Sequence, residues 1–267
     1  FVVKTKLKTI DEAWLGLDSL DRDFFNPMSI LKPSEEDFNL KLAWIMTQPV
    51  YFSFIVREVL NIQLLPSQAL FLQEVWNRKF PMLVASRGFG KSFILSLYAV
   101  LRALLLPSRK VVVVGAAFRQ SKVLFEYMET IWRNSHLLRD ICDGDSGPRR
   151  DTDRCTLRIN DSTITCLPLG DGQKIRGQRA NDIIADEFAS IPREIFENVV
   201  AGFAAVSSDP VENVKKLAAK KKAKELGVDF EEETKIQKKD NQIILSGTAY
   251  YDFNHFATYW KKWKSII

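Results

Sequence analysis

Ala85-Ser86-Arg87-Gly88-Phe89-Gly90-Lys91-Ser92 matches the pattern GxxxxGK[ST] at every fixed position except the first, where Ala85 replaces glycine. The run Pro81-Met82-Leu83-Val84-Ala85 before it has the apolar character of a short strand. The run from Phe93 to Leu106 has the character of a long apolar helix. Strand, glycine loop and helix in that order make a phosphate-binding loop, because backbone N–H groups at a helix N-terminus form a concave anion site. In such a loop Lys91 reaches the outer phosphates of a nucleotide and the Ser92 hydroxyl ligates Mg2+. Residues 86–93 (Ser86, Arg87, Gly88, Phe89, Gly90, Lys91, Ser92 and Phe93) are therefore the expected nucleotide-binding segment.

Working outward, short apolar runs alternate with amphipathic ones. Val111–Val114 is an expected buried strand, ended by Gly115, and Ser121–Asn134 an expected helix. Thr156–Ile159 and Ser162–Leu167 flank Asn160-Asp161 and predict an antiparallel hairpin. Residues 143–153 read as turns, and Ile183–Ala185 and Gln242–Leu245 as two more short strands. The rhythm predicts an α/β fold of P-loop NTPase type, with a mostly parallel central sheet flanked by helices. Upstream, residues 1–60 read as a helical accessory segment. Leu7, Ile10, Trp14 and Leu17 fall at helical spacing, and Leu40–Leu65 leans helical. Gln68–Arg78 is a further expected helix with Ser67 as its N-cap. The core is expected over residues 61–208 and 241–267. Between them, residues 209–240 hold nine Lys and eight Asp or Glu, the composition of a solvated insertion or small lid subdomain.

A second motif gives the first its chemistry. Asp182-Ile183-Ile184-Ala185-Asp186-Glu187 is an apolar strand ending in two carboxylates. Asp186 suits the metal and Glu187 suits a base for an attacking water, which points to hydrolysis of the nucleotide. Three smaller features complete the set. Gln68, one helix before the loop, can read adenine through a donor and an acceptor. Ser246-Gly247-Thr248 closes a strand where a hydroxyl can sense the γ-phosphate or the water and pass the change on. Arg87 and Arg176 are both candidates for stabilising transition-state charge, a role worth about 10³–10⁵ in rate.

The 267 residues are 46% hydrophobic and 27% charged with net charge +5, ordinary for a soluble globular chain. The longest apolar run is broken by Arg102, which argues against a membrane span. Cys142, Cys155 and Cys166 lack zinc spacing and read as reduced thiols. The chain starts at Phe1 and reads as a piece of a longer protein.

In this order Gln68, the Arg87-containing loop, Ile175-Arg176-Gly177, Asp186-Glu187 and Ser246-Gly247-Thr248 resemble the ATPase domain of the large terminase subunit of tailed bacteriophages. The resemblance covers about residues 60–260, and its specificity lies in the ordered set. It implies a Mg2+-dependent ATPase motor that drives double-stranded DNA into a procapsid. It makes Lys91 and Ser92 the Walker A pair, Asp186 and Glu187 the Walker B pair, and Ser246-Gly247-Thr248 a coupling motif. It implies a ring of subunits, a pentamer, working in the host cytoplasm with the portal protein and the small terminase subunit. Arg176 matches an arginine acting in trans from the neighbouring subunit, and Arg87 one acting in cis. The family's nuclease domain is not expected within these residues. Candidate DNA contacts are Lys215–Lys224, Arg149-Arg150 and Trp260-Lys261-Lys262-Trp263-Lys264, although tryptophans three apart usually face a core. Two other readings stand beside this one: a superfamily 2 helicase or translocase, which needs a second RecA-like domain, and a nucleotide-gated regulatory module without turnover.

Overall fold

A computed structural model describes residues 27, 38–86, 88–142, 146–168, 180–197, 241–248 and 254–264. The expectations for Leu7–Leu17, Arg87, Arg176 and 209–240 lie outside them. The chain divides into two compact units, one formed by residues up to Arg78 with Met128–Asp145, the other by Lys79–Tyr127 with Ser146–Ile267.

The described residues of the first unit are mainly helical. α1 is Phe38–Thr47, α2 Phe52–Leu60 and α3 Pro66–Trp76. Asn61 ends α2 in the left-handed conformation (φ 55°) that Asn tolerates at a helix C-terminus. Ser67 is not the cap of α3. The helix starts two residues earlier than expected, with Leu65 as N-cap and Pro66 in the first turn, where a missing N–H costs nothing. Phe52 and Trp76 meet edge to face at 4.6 Å in the core of this unit.

The second unit is built on a seven-stranded sheet. In chain order its elements are β1 Met82–Val84, α4 Lys91–Leu105, β2 Lys110–Gly115, α5 Phe118–Asn134 (which divides between the units at Met128), α6 His136–Ile141 (in the first unit), β3 Gly147–Arg150, β4 Cys155–Ile159, β5 Ser162–Pro168, β6 Asp182–Ala185, β7 Gln242–Gly247 and α7 His255–Lys264. The strand order is β1-β7-β6-β2-β5-β4-β3. β1, β7, β6, β2 and β5 run parallel, and β5-β4-β3 form an antiparallel extension. The expected β4–β5 hairpin is present, with Asn160 in its turn at φ 50°. Within 143–153 the structure differs from an all-turn reading: Gly147–Arg150 is the edge strand. Pro148 lacks the donor an inner strand needs, and an edge strand tolerates it.

β6 and β7 are buried throughout and β2 from Val111 onward, as their near-continuous apolar runs require, whereas β1 at the edge is half-buried with Val84 exposed. One face carries Val112, Val114, Ile183, Ala185, Ile243 and Leu245, which pack with Phe188, Phe196 and Phe256. α4 packs against β2 and β5. Arg102 of α4, which interrupts the apolar run, is buried. Its Nε donates to Asp182 Oδ2 at 3.2 Å at the start of β6, with Arg109 Nε 3.6 Å from the same oxygen. Tyr98 donates to Gln242 Oε1 beside them, and burial pushes its phenol up. These polar groups sit at the amino ends of β6 and β7, at the far end of the strands from the glycine loop. None of the three cysteines, Cys142, Cys155 and Cys166, is in a disulfide. Cys155 and Cys166 oppose each other across β4 and β5, and burial pushes the Cys166 thiol up.

Candidate nucleotide site

Three motifs distant in sequence meet because three neighbouring parallel strands end together. β7 lies between β1 and β6, so the loop after β1, Asp186-Glu187 after β6 and Thr248 after β7 all leave the sheet at its carboxyl edge. Crevices at that edge are where open α/β sheets bind ligands. The Ala85 N–H donates to Gly247 O at 3.2 Å, and the Asp186 N–H to Val114 O at 3.0 Å, fixing both loops to the strand ends.

The loop has the backbone its glycines predict. Gly90 adopts φ 79° and ψ 27° as the N-cap of α4, and Gly88 has φ 92°. Both are in left-handed space that side chains disfavour. Ala85, at the place of the motif's first glycine, has no positive φ, so alanine serves there. No side chain caps α4, which leaves its first N–H groups for an anion. Phe93 points away into an edge-to-face contact with Tyr127 at 5.8 Å.

Lys91 Nζ donates to Glu187 Oε1 at 2.7 Å and lies 3.5 Å from Thr248 Oγ1. The Lys91 side chain is 9% exposed and that of Glu187 36%. Asp186 is buried. Its Oδ1 accepts the Ser246 hydroxyl at 2.6 Å and the Glu187 N–H at 3.0 Å. Its other oxygen, Oδ2, accepts no hydrogen bond among the described residues. Burial raises the Asp186 carboxyl above its ordinary range, against the lowering effect of the Ser246 hydroxyl, the Lys91 ammonium and the Glu187 N–H. A hard divalent cation takes oxygen donors and often only one or two carboxylates besides phosphate. Asp186 Oδ2 and the Ser92 hydroxyl fit that demand. Among the described residues there is no cluster of three or more His, Cys, Asp or Glu for a metal.

The structure thus brings together Lys91, Asp186, Glu187, Ser246, Gly247 and Thr248, with Ser92 next to Lys91 on α4. Gln68 belongs to the other unit, where its Oε1 accepts the Leu65 N–H at 3.0 Å at the start of α3. Arg87 and Arg176 are outside the described residues. Sequence reasoning missed two contacts that the strand order creates: the bond of Ser246 to Asp186 and the pairing of Lys91 with Glu187. It also missed Asn254 and His255, which touch the turn after Glu187; no motif marks them. Trp260, expected on an inner face, is 47% exposed, because Phe256 and Tyr259 take the inner face of α7. Arg149 and Arg150 are exposed on the edge strand, Arg150 4.0 Å from Glu126. No described helix is long and apolar enough to cross a membrane.

The large terminase of bacteriophage HK97 superposes with a TM-score of 0.52 at 14% identity, over 82% of this chain and 41% of that one. The chain therefore spans about two fifths of that relative's length. The ATPase domain of the large terminase of Thermus phage P74-26 matches at a TM-score of 0.45 and 15% identity, over 78% of this chain and 88% of that one. The likeness to the HK97 protein shows an α/β P-loop fold with a mixed sheet flanked by helices. No curated protein sequence matches the chain. The sequence profile described as "Terminase large subunit, T4likevirus-type, N-terminal" matches residues 82–239, more than half of the chain and from β1 past β6. The chain belongs to the large-terminase family, of which it carries the N-terminal region.

Proposed function

We propose that this chain is the ATP-hydrolysing motor part of a phage packaging terminase, driving double-stranded DNA into a procapsid. The observation that carries the proposal is the meeting of Lys91, Glu187 and Thr248 within 3.5 Å beside an Asp186 that keeps one oxygen unengaged. Lys91 and the N–H groups of the loop bind the β- and γ-phosphates. Asp186 and Ser92 would hold Mg2+, which when bound would neutralise charge developing on the phosphate oxygens. Glu187 leaves Lys91 when the phosphates arrive and accepts a proton from water. The water oxygen bonds to the γ-phosphorus, the bond to the bridging β–γ oxygen breaks, and ADP and phosphate leave. Ser246 keeps Asp186 oriented, and Thr248 senses whether Lys91 holds phosphate.

An arginine completes the charge stabilisation. We assign it to Arg176 acting in trans within a ring, a pentamer, with Arg87 acting in cis as the alternative. The portal protein, the small terminase subunit and DNA are the partners, in the host cytoplasm. Family membership supports this reading over a two-domain helicase. Turnover distinguishes it from a regulatory module. Lys91→Ala is expected to weaken ATP binding severely in a direct titration, leaving a residual affinity measurable only at high nucleotide concentration. Glu187→Gln is expected to bind ATP with turnover lowered roughly 10²–10⁴-fold, the usual worth of a general base. Measured turnover should rise per subunit as the chain assembles. Normal turnover by Glu187→Gln, or undiminished binding by Lys91→Ala, would overturn the assignment.

A further inference from the structure

We propose that the first turn of α7 is a positioning device for Glu187, in which Asn254 and His255 hold the backbone that follows it and so aim its carboxylate. The inference rests on Glu187 as the base, and adds residues that lie outside every recognised motif.

Glu187 has φ 48° and ψ 48°, a left-handed conformation that a residue with a side chain seldom adopts. Such a conformation persists only where the surroundings over-determine it, and it gathers at functional sites. The N-terminal side of Glu187 is fixed by the bond of its N–H to Asp186 Oδ1 at 3.0 Å. The C-terminal side enters a tight turn, Phe188–Ser190, closed by the Ser190 N–H on Glu187 O at 2.8 Å. The start of α7 grips that turn at two carbonyls. His255 Nε2 lies 3.0 Å from Phe188 O, and Asn254 Nδ2 donates to Ala189 O at 3.1 Å. A carbonyl only accepts, so His255 Nε2 carries a hydrogen here. Asn254 Oδ1 at the same time accepts the Phe256 N–H at 2.9 Å, so the residue that grips the turn also caps the helix. The Phe188 ring is fully buried and meets the rings of Phe196, His255 and Tyr259 edge to face at 4.7, 5.0 and 5.5 Å. Mere packing of α7 would need the rings. It would not need two side-chain bonds onto successive carbonyls next to a left-handed glutamate.

The test separates the bond from the packing. His255→Phe keeps a ring against Phe188 and loses the donor; His255→Gln keeps a donor on a flexible side chain. In the full chain, His255→Phe is expected to lower kcat roughly tenfold to a hundredfold, the scale of a misplaced reacting group. KM and ADP affinity should not weaken. His255→Gln should recover most of the loss, and His255→Phe should have no further effect when added to Glu187→Gln. The proposal is overturned by wild-type kcat in His255→Phe. It is equally overturned if kcat, ADP affinity and thermal stability fall together with no recovery by Gln, the pattern of a structural role. Glu187→Gln alone is measured in parallel: if it retains turnover, the base assignment fails, and if it is inactive while His255→Phe is normal, only the positioning role fails.

Discussion

Replacing Glu187 with Gln should make the chain bind ADP more tightly, because the nucleotide no longer has to take Lys91 from a charged partner. The two groups are 2.7 Å apart, with the lysine 9% and the glutamate 36% exposed. At that separation the Coulomb energy is about 6 kcal/mol at an effective dielectric of about 20 and about 1.5 kcal/mol in bulk water. With the glutamate more than a third exposed, water screens the pair, and its net worth falls to about 2 kcal/mol. Gln keeps a neutral acceptor for the lysine, worth about half of the charged one. The difference left is about 1 kcal/mol, or roughly fivefold in affinity. The assay is an equilibrium titration with a fluorescent ADP analogue, where no turnover intervenes. The lost charge also lessens repulsion of the phosphates, and the same substitution in a Lys91→Ala chain measures that part. The cycle of four proteins isolates the Lys91–Glu187 term. A Glu187→Gln chain that binds ADP no more tightly than the unaltered one, or a gain that persists in full without Lys91, would refute the reasoning.

Two further substitutions probe the frame around the site. Asp182→Ala removes the buried carboxylate that Arg102 and Arg109 share at the start of β6, and should cost about 3–5 kcal/mol in a denaturant titration, a large share of a domain's stability. Gly247→Ala puts a methyl 3.0 Å from Phe256 Cε1, so ring or strand must yield; a cost of about 1–3 kcal/mol in thermal unfolding is expected, together with lowered turnover.

The glycine loop and the Asp-Glu strand were legible because each packs its chemistry into a few consecutive residues. Gly90 and Gly88 announce their left-handed backbone, and Ile183–Ala185 announces a buried strand. The strands themselves were legible for the same local reason, since buried parallel strands read as unbroken apolar runs. Pairings across the sheet were not. That Ser246 would donate to Asp186 depends on β7 entering beside β6, which no spacing in the sequence encodes. The edge strand Gly147–Arg150 was hidden by its glycine and proline, which read as turn. Trp260 was misplaced because helical spacing gives a face but not which face meets the core; the aromatic ring around Phe188 draws in Phe256 and Tyr259 instead. His255 and Asn254 carry no signal of their own, since one histidine and one asparagine before a helix are ordinary.

The strand order also bears on how the chain comes to fold. β1 carries the glycine loop, yet among the described residues its one strand neighbour is β7, at Met82↔Leu245, Leu83↔Ser246 and Val84↔Gly247. The partner of an early strand is thus made more than 150 residues later, as the separation of Lys91 and Thr248 by 157 positions shows. Closing so long a loop costs entropy before its contacts repay it, which slows folding. During synthesis β2, β4, β5 and β6 emerge before β7, so among the described strands β1 has no sheet partner until residues 242–247 are made. A fragment ending at residue 239, where the family profile stops, would keep both halves of the pocket's chemistry and lack the strand that joins them.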